Sequence, residues 1–266
     1  MKKLFFAVAT LLLALPPAAY AYAQALSGSG TVEIATTSDQ VRSVHMPTLI
    51  YHSVRPYYPE ITDMVKEFTV PPNVFDDQLK YLKDNGFTAI TMNDLVQYLT
   101  VGKPLPPKPV MITLDDGWEN QYTYAFPILQ KYHMPAVFYV YARAIGVKHF
   151  LTWNQLKIMR DAGMEIASHT YSHPELPKVV DDVVRMSREI YDSKKLISDR
   201  MGGLAIKDFA YPFGEYDDRV IQVVQGGYQS ARTVHSGNEQ KADMMYTLHG
   251  TIITGDFNRF VSYVNK

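Results

Sequence analysis

The amino-acid sequence predicts an α/β protein whose single domain is a distorted parallel (β/α) barrel of about seven strands. One observation behind this prediction is a set of short apolar runs, which are typical of strands covered on both faces. A second is that helical patterns alternate with these runs from residue 45 to residue 266. A third is that no glycine-rich nucleotide-binding loop follows the first predicted strand, which disfavours a dinucleotide-binding fold.

The N-terminal residues predict a secretory signal peptide over residues 1–25. Two lysines precede an apolar run that is too short to span a bilayer comfortably, and small residues in an A-x-A pattern follow it. An uncleaved membrane anchor is the alternative. We therefore expect a secreted protein, with cell-surface association as an additional expectation.

Residues 26–44 are rich in Ser, Thr and Gly and predict a flexible linker. The remaining chain, residues 45–266, is expected to form the one folded domain. Its strand candidates, in order, are residues 47–54, 87–92, 109–116, 135–141, 163–169, 208–213, 228–234 and 246–253. Helical patterns lie between them at residues 73–86, 92–102, 152–163, 179–203 and 217–227.

Composition excludes several classes of function. The formal net charge of the 266 residues is −1 and no basic run is present, so nucleic-acid binding is not expected. There is no cysteine, so the protein forms no disulfide and any metal site must use histidines and carboxylates. No pattern indicates a protein partner.

Polar motifs follow several of the predicted strands. They are Tyr51-His52, Asp115-Asp116-Gly117, Ser168-His169 and Tyr211-Pro212. In a parallel barrel the functional groups gather at the C-terminal ends of the strands. The motifs are therefore expected to share one site.

Two of these motifs can form a metal site. If the segment after residue 168 is helical, His169 and His173 lie on one face at i and i+4. With Asp116 they would make a set of two histidines and one carboxylate, which suits a catalytic zinc ion. The alternatives are a polar turn at Asp115-Asp116-Gly117 and a solvated histidine pair.

A metal-dependent hydrolase also needs a base and an acid. Asp115 is the natural base, because it neighbours the candidate ligand Asp116. Two histidines are candidates for the acid. His52 ends the first predicted strand, and His249 follows an apolar run near the C-terminus.

These motifs resemble those of the polysaccharide deacetylases, the NodB-homology domains of carbohydrate esterase family 4, from Pro47 to the C-terminus. "TLDDG" (residues 113–117) and "SHTYSH" (residues 168–173) look like the first and second motifs of that family. The resemblance implies that Asp115 is the base. It also implies a divalent metal, with Zn²⁺ favoured and Co²⁺, Ni²⁺ or Mn²⁺ as alternatives, bound by the ligands Asp116, His169 and His173.

"FAYPFG" (residues 209–214) looks like the third motif, in which the resemblance implies that the backbone N–H of Tyr211 holds the oxyanion. Many members carry an arginine three residues before the Tyr-Pro pair, where this chain has Asp208. We expect Arg232 to brace the base instead, with a surface salt bridge as the alternative. Trp118 and Phe213 are expected to contact sugar rings.

The position of the acid resembles a permuted branch, the biofilm exopolysaccharide deacetylases. In that branch the histidine follows the first strand, as His52 does in "LIYHSV", so we prefer His52 over His249. The expected function is secreted, metal-dependent N-deacetylation of an N-acetylglucosamine polymer, with poly-N-acetylglucosamine favoured. Alternatives are peptidoglycan, chitin oligomers or acetylxylan as substrate. Alternatives of other classes are an inactive carbohydrate-binding protein and a metal phosphodiesterase.

Overall fold

A parallel sheet forms the centre of the molecule in the computed structural model, which describes residues 41–266. The strands are β1 (Ser43–His45), β2 (Thr48–Tyr51), β3 (Ser53–Val54), β4 (Thr69–Val70), β5 (Thr88–Ile90), β6 (Pro109–Asp116), β7 (Val137–Val140), β8 (Glu165–Ser168), β9 (Asp208–Ala210), β10 (Ser230–Arg232), β11 (Glu239–Lys241) and β12 (Thr251–Ile252).

The main sheet has the strand order β10-β9-β8-β7-β6-β2-β12, and β5 pairs with the first half of β6. Every pair in this sheet is parallel. Leu248 bridges Arg232 at one end of the sheet, and β12 then pairs with β2 at the other. Residues 248–252 therefore connect the two ends, and the prediction of a distorted parallel barrel is confirmed.

Helices cover the outside of the sheet. They are α1 (Asp63–Glu67), α2 (Pro72–Asp84), α3 (Met92–Val101), α4 (Phe126–Tyr132), α5 (Trp153–Asp161), α6 (Val183–Ser187), α7 (Ser193–Arg200), α8 (Asp218–Gln225) and α9 (Phe257–Val264). A π turn, Gln121–Ala125, precedes α4, and another, Arg188–Asp192, joins α6 to α7.

Local sequence explains where α3 and α5 begin. Thr91 and Thr152 each accept a hydrogen bond from the third residue of the helix, whose side chain bonds back to the threonine N–H. This reciprocal capping satisfies two otherwise unpaired N–H groups at each helix start. Helix α3 then ends at Gly102, which adopts the left-handed conformation that glycine tolerates best.

The structure corrects two predicted boundaries. The linker predicted for residues 26–44 lies outside the described residues up to residue 40, but β1 pairs antiparallel with β11, so residues 43 and 44 are ordered strand. The helix predicted over residues 179–203 begins only at Val183, because Asp182 caps it. The predicted signal peptide, residues 1–25, lies wholly outside the described residues. Within residues 41–266, no helix combines the length and apolarity needed to cross a membrane.

Successive side chains of β6 point alternately toward the surrounding helices and toward the barrel interior. Val110, Ile112 and Leu114 belong to the core cluster that includes helix residues such as Leu79 and Leu129. The intervening residues face the other side, as the period of two of a strand requires. Asp115 is on this inner side, at the C-terminal end of the strand.

Candidate metal and catalytic site

The end of β6 turns sharply at the two aspartates. Asp115 is buried, while Asp116 adopts a left-handed conformation with φ of 76°. Gly117 follows with φ of 80°, and a Cβ placed there would lie 3.1 Å from Val140 Cγ1. Because an L-residue at Asp116 is held in a disfavoured region, the turn is a strained feature that aims the two carboxylates in different directions.

The segment after β8 is a loop, so the helical i and i+4 arrangement considered for His169 and His173 does not apply. Thr170 and His173 both have positive φ, at 72° and 61°. Thr170 Oγ1 accepts a hydrogen bond from His173 N–H at 2.9 Å. The buried Glu189 carboxylate accepts bonds from the N–H groups of Tyr171 and Ser172 at 3.1 and 2.8 Å. These contacts fold the loop back on itself and bring the two imidazoles together without a helix.

Asp116, His169 and His173 converge on one point. Asp116 Oδ1 lies 3.7 Å from His169 Nε2 and 3.3 Å from His173 Nε2, and the two nitrogens are 3.2 Å apart. His169 Nδ1 donates to the carbonyl of Ala210 at 2.7 Å, which leaves the Nε2 lone pair directed at the cluster. Trp118 Nε1 donates to Asp116 Oδ2 at 3.0 Å and orients the carboxylate.

The charge states of this cluster suit a cation. Burial, followed by the charge of His173, lowers the pKa of His169 to about 4, so its imidazole is neutral at neutral pH. Burial alone would raise the pKa of Asp116. The hydrogen bond from His173 and the charges of His52 and His169 outweigh burial and hold that pKa well below its usual range. Two imidazoles and one carboxylate are the ligand set of many divalent metal sites.

Asp115 forms a buried ion pair with Arg232. Arg232 Nη2 lies 2.6 Å from both carboxylate oxygens, and the side chains are 3% and 1% exposed. The guanidinium stands 4.9 Å above the ring of Tyr139, and its Nη1 donates to the carbonyl of Thr233. Arg232 thus occupies the bracing position expected from the sequence, with its own geometry fixed by packing.

Asp208, which stands where the arginine of many polysaccharide deacetylases lies, faces a different partner. Its Oδ1 accepts bonds from Ser230 Oγ at 2.6 Å and Gln229 Nε2 at 3.1 Å. Glu165 on the neighbouring strand β8 is close enough to Asp208 for the two carboxyl groups to interact. Asp208 is therefore the buried member of a carboxyl pair and makes no hydrogen bond to the base.

The two candidate acids lie in different places. The His52 side chain lines the same cavity as Asp115 and Asp116 and packs edge-on against Phe68, with ring centroids 5.1 Å apart. His249 is not among the cavity residues. Its main chain bonds to Gln240, and its ring lies against Gly237.

A family model described as polysaccharide deacetylase matches residues 102–229. YxkH of Bacillus subtilis (strain 168), itself only provisionally named a polysaccharide deacetylase, is 34% identical over 205 residues, which cover 77% of this chain and 70% of the relative. The chain belongs to the polysaccharide deacetylase family. A poly-beta-1,6-N-acetyl-D-glucosamine N-deacetylase of Staphylococcus aureus (strain MRSA252) is 26% identical over 66% of this chain and 67% of its own length.

Solved structures agree with this family membership. The Streptococcus pyogenes deacetylase PplD, in complex with acetate, superposes with a TM-score of 0.76 at 27% identity over 84% of this chain and 99% of its own. IcaB from Ammonifex degensii superposes with a TM-score of 0.72 over 84% of this chain and 97% of its own. Its 22% identity makes it a likeness of fold. His52 and Arg232 both lie outside the matched residues 102–229.

The Tyr211 N–H is not free to hold the oxyanion, so the role expected for it is wrong. That N–H donates to the carbonyl of Arg232 at 3.1 Å, as part of the pairing between β9 and β10. The N–H of Phe213, two residues later, has no hydrogen-bond partner within residues 41–266. Phe213 has φ of 58°, and its ring packs 4.7 Å from that of His173. The unpaired donor of the third motif therefore belongs to Phe213.

The deacetylase cavity has a volume of about 610 Å³. Trp118 and Phe213 both line it, as expected for residues that contact sugar rings. Phe213 is 57% exposed. One face of Trp118 is covered by Phe150, at a ring distance of 4.4 Å, so only its other face can meet a ligand. The complete lining consists of His52, Ser53, Arg55, Tyr58, Met64, Val65, Phe68, Thr69, Asp115, Asp116, Trp118, Asn120, His169, His173, Tyr211, Phe213, Val234 and Ile252.

Gln121, which no sequence motif singles out, links the end of β6 to the residue after β2. Its Nε2 donates to the carbonyls of His52 at 2.7 Å and Asp115 at 2.5 Å. The side chain is fully buried within the π turn before α4. Its partners lie 69 and 6 residues away in the chain, so no local sequence pattern marks Gln121 as a link between them.

Proposed function

We propose that the protein is a secreted, metal-dependent N-deacetylase of an N-acetylglucosamine polymer, with poly-N-acetylglucosamine as the favoured substrate. The observation that carries the proposal is the convergence of Asp115, Asp116, His169, His173 and His52 on one cavity. Secretion rests on the signal-like residues 1–25 alone, and N-terminal sequencing of the exported protein tests it. Detection of the protein bound to cells would support surface association.

The metal site in this proposal is Asp116 with His169 and His173. Their ligand atoms lie within 4.8 Å of one another, and the hydrogen bonds of Ala210 and Trp118 hold two of them in position. A divalent ion bound there would supply a Lewis acid for the acetyl carbonyl and lower the pKa of a water molecule. Zn²⁺ fits two imidazoles and a carboxylate best, and Co²⁺, Ni²⁺ and Mn²⁺ accept the same ligands.

Asp115 is the base of the proposed reaction. It removes a proton from the water that attacks the acetyl carbon. Arg232 is a positioning residue, because its contact with both oxygens fixes the orientation of the carboxylate. The C–N bond of the amide then breaks, and acetate and a free amine are formed.

His52 is the proposed acid, which gives a proton to the departing nitrogen. It lines the cavity directly after β2, the strand that pairs with β6. The N–H of Phe213 is the proposed donor to the oxyanion, because it is unpaired and close to His173. A donor of this kind contributes about 3 kcal/mol to transition-state stabilisation in other enzymes.

The substrate is proposed from two observations. Relatives at 26% identity are named poly-beta-1,6-N-acetyl-D-glucosamine N-deacetylases, from Staphylococcus aureus and Escherichia coli, although the chain spans only 31% of the latter. The second observation is the position of the proposed acid, His52, directly after the first strand of the barrel. Peptidoglycan N-acetylglucosamine and chitin oligomers remain the competing substrates.

Acetate release from a β-1,6-linked N-acetylglucosamine oligomer tests the proposal. We expect Asp115→Asn to reduce kcat by about 10²–10⁴-fold, because the isosteric amide cannot accept the proton. The matched control is Asp243→Asn, an exposed aspartate, which should retain full activity.

Glycan binding distinguishes the enzyme from an inactive carbohydrate-binding protein. An enzyme should lose turnover in Asp115→Asn while calorimetry still detects the oligomer. Unchanged acetate release in this variant, or no release by the wild type from any N-acetylated glycan, would sink the proposal.

A further inference from the structure

A separate segment forms one wall of the cavity. Residues 55–68, here called the β3–β4 arm, leave the barrel after β3 and return at β4. Its short helix α1 has no buried residue. The arm lies outside residues 102–229, the part shared with the family model. Cavity residues outside the part shared with the family model can give this protein a substrate selectivity of its own.

The arm places one cation in the cavity, Arg55. Its guanidinium stands 4.7 Å above the ring of Tyr58, which fixes its plane. Its Nε is buried and has no hydrogen-bond partner within residues 41–266. The arginines that form ion pairs in this part of the chain are Arg160, Arg219 and Arg232.

The charges around Arg55 leave it uncompensated. The two acidic residues that line the cavity already have partners, since Asp115 pairs with Arg232 and Asp116 faces His169 and His173. A buried donor without a partner is costly. The cavity therefore presents to its ligand a positive charge that has no ion-pair partner within residues 41–266.

We propose that Arg55 is a specificity residue that binds a carboxylate on a sugar held in the same cavity as the N-acetyl group. This inference rests on the proposed deacetylase function. A planar guanidinium matches a carboxylate with two parallel hydrogen bonds, whereas a neutral hydroxyl leaves the positive charge unpaired. The exposed side chains of Met64 and Phe68, 75% and 41% exposed, give the same wall an apolar surface for a sugar ring.

The positive charge of Arg55 also affects the binding of the deacetylated product. Deacetylation converts a neutral amide into an amine that is protonated at neutral pH. Arg55 repels that cation and attracts an acidic unit. Among the candidate substrates, the arm therefore favours an N-acetylated glycan that carries acidic groups, such as peptidoglycan, over the neutral poly-N-acetylglucosamine that the names of the relatives suggest, and over a glycan that is already deacetylated.

Matched oligomers test this selectivity. Two N-acetylated oligomers differ in the source of the carboxylate: N-acetylheparosan carries uronic acids, and a peptidoglycan-type glycan carries lactyl ethers. Each is compared with its own carboxyl-reduced form, and a neutral β-1,6-linked N-acetylglucosamine oligomer completes the set. KM is measured for the wild type, Arg55→Gln and the control Arg259→Gln, an exposed arginine on α9.

We expect carboxyl reduction to raise the wild-type KM about tenfold for at least one acidic oligomer. The ratio of the KM for the carboxyl-reduced oligomer to the KM for the acidic oligomer should fall to about one in Arg55→Gln. It should stay unchanged in Arg259→Gln and become smaller at high salt. The oligomer with the larger ratio identifies the source of the carboxylate. Equal KM values for acidic and reduced oligomers in the wild type, or an unchanged ratio in Arg55→Gln, would overturn the proposal.

A second measurement separates this inference from the proposed activity. Calorimetry with Asp115→Asn and with Asp115→Asn/Arg55→Gln gives affinities for the same oligomers without turnover. Failure of acetate release with every oligomer contradicts the deacetylase proposal. In that case the calorimetric affinities for the acidic and the carboxyl-reduced oligomers, compared between the two variants, still decide whether Arg55 binds the carboxylate.

Discussion

The carboxyl pair of Glu165 and Asp208 predicts an unusual dependence of stability on pH. Burial, then the charge of Asp208 and the hydrogen bond to it, raise the pKa of Glu165 to about 8, although the N–H groups of Asn93 and Met92 oppose the shift. Glu165 is therefore protonated in the folded protein at neutral pH. The unfolded chain releases this proton above about pH 4.5.

The sign and size of the change in stability with pH follow from the difference between the pKa of Glu165 in the folded and unfolded states. Between about pH 4.5 and 8 the folded state binds more protons than the unfolded state, so stability falls as pH rises through this window. The full shift corresponds to an upper limit of about 5 kcal/mol. Since Glu165 retains some solvent contact, we expect a loss of about 2–3 kcal/mol.

The substitution Glu165→Gln removes the titration and keeps the contacts. The amide oxygen can accept from the N–H groups of Met92 and Asn93, and the amide nitrogen can donate to Asp208. Urea unfolding at half-unit steps from pH 5 to pH 9 should show the variant gaining on the wild type as pH rises. The exposed control Glu60→Gln should track the wild type. A wild-type-to-variant difference that stays constant from pH 5 to pH 8 would refute the shared-proton reasoning.

Three further substitutions probe the site directly. Arg232→Gln leaves a buried carboxylate unpaired and should lower the free energy of unfolding by about 3–5 kcal/mol in urea titrations; a change below 1 kcal/mol would mean that water replaces the guanidinium. His52→Ala should lower kcat about 10²–10⁴-fold while His249→Ala does not, and the reverse result would reassign the acid. Trp118→Phe removes the hydrogen bond to Asp116 and should weaken metal binding about 10–100-fold in competition with a chelator, whereas equal affinity would show that the carboxylate is held by other contacts.

Local sequence was enough to predict the alternation of strands and helices. Apolar runs at β6 and β7 and the capping residues Thr91 and Thr152 specify these elements without distant contacts. The start of the helix at Val183 was missed because Val179 and Val180 extend its apolar pattern, although Asp182 is the residue that caps it. Propensity alone does not decide between two such starts.

At the site, residue types were predictable from the sequence, but backbone geometry was not. Positive φ at Thr170 and His173 is rare outside glycine, so no pattern predicted the loop that replaces a helix. The hydrogen bond that occupies the Tyr211 N–H depends on β10, a strand whose alignment only the folded sheet reveals. The same holds for the Glu165–Asp208 pair, which joins two strands 43 residues apart by their numbering.

Closure of the barrel by its last strand has a consequence for folding kinetics. Tyr263 Oη bonds to the carbonyl of Thr48, 215 residues away, and β12 completes the pairing of β2. Contacts of such long range give a high contact order, and high contact order slows folding. Strand β2, which directly precedes His52, gains its second neighbour only after residues 251 and 252 have left the ribosome. Until then β2 has an exposed edge, so a chain truncated before residue 251 would be prone to aggregation.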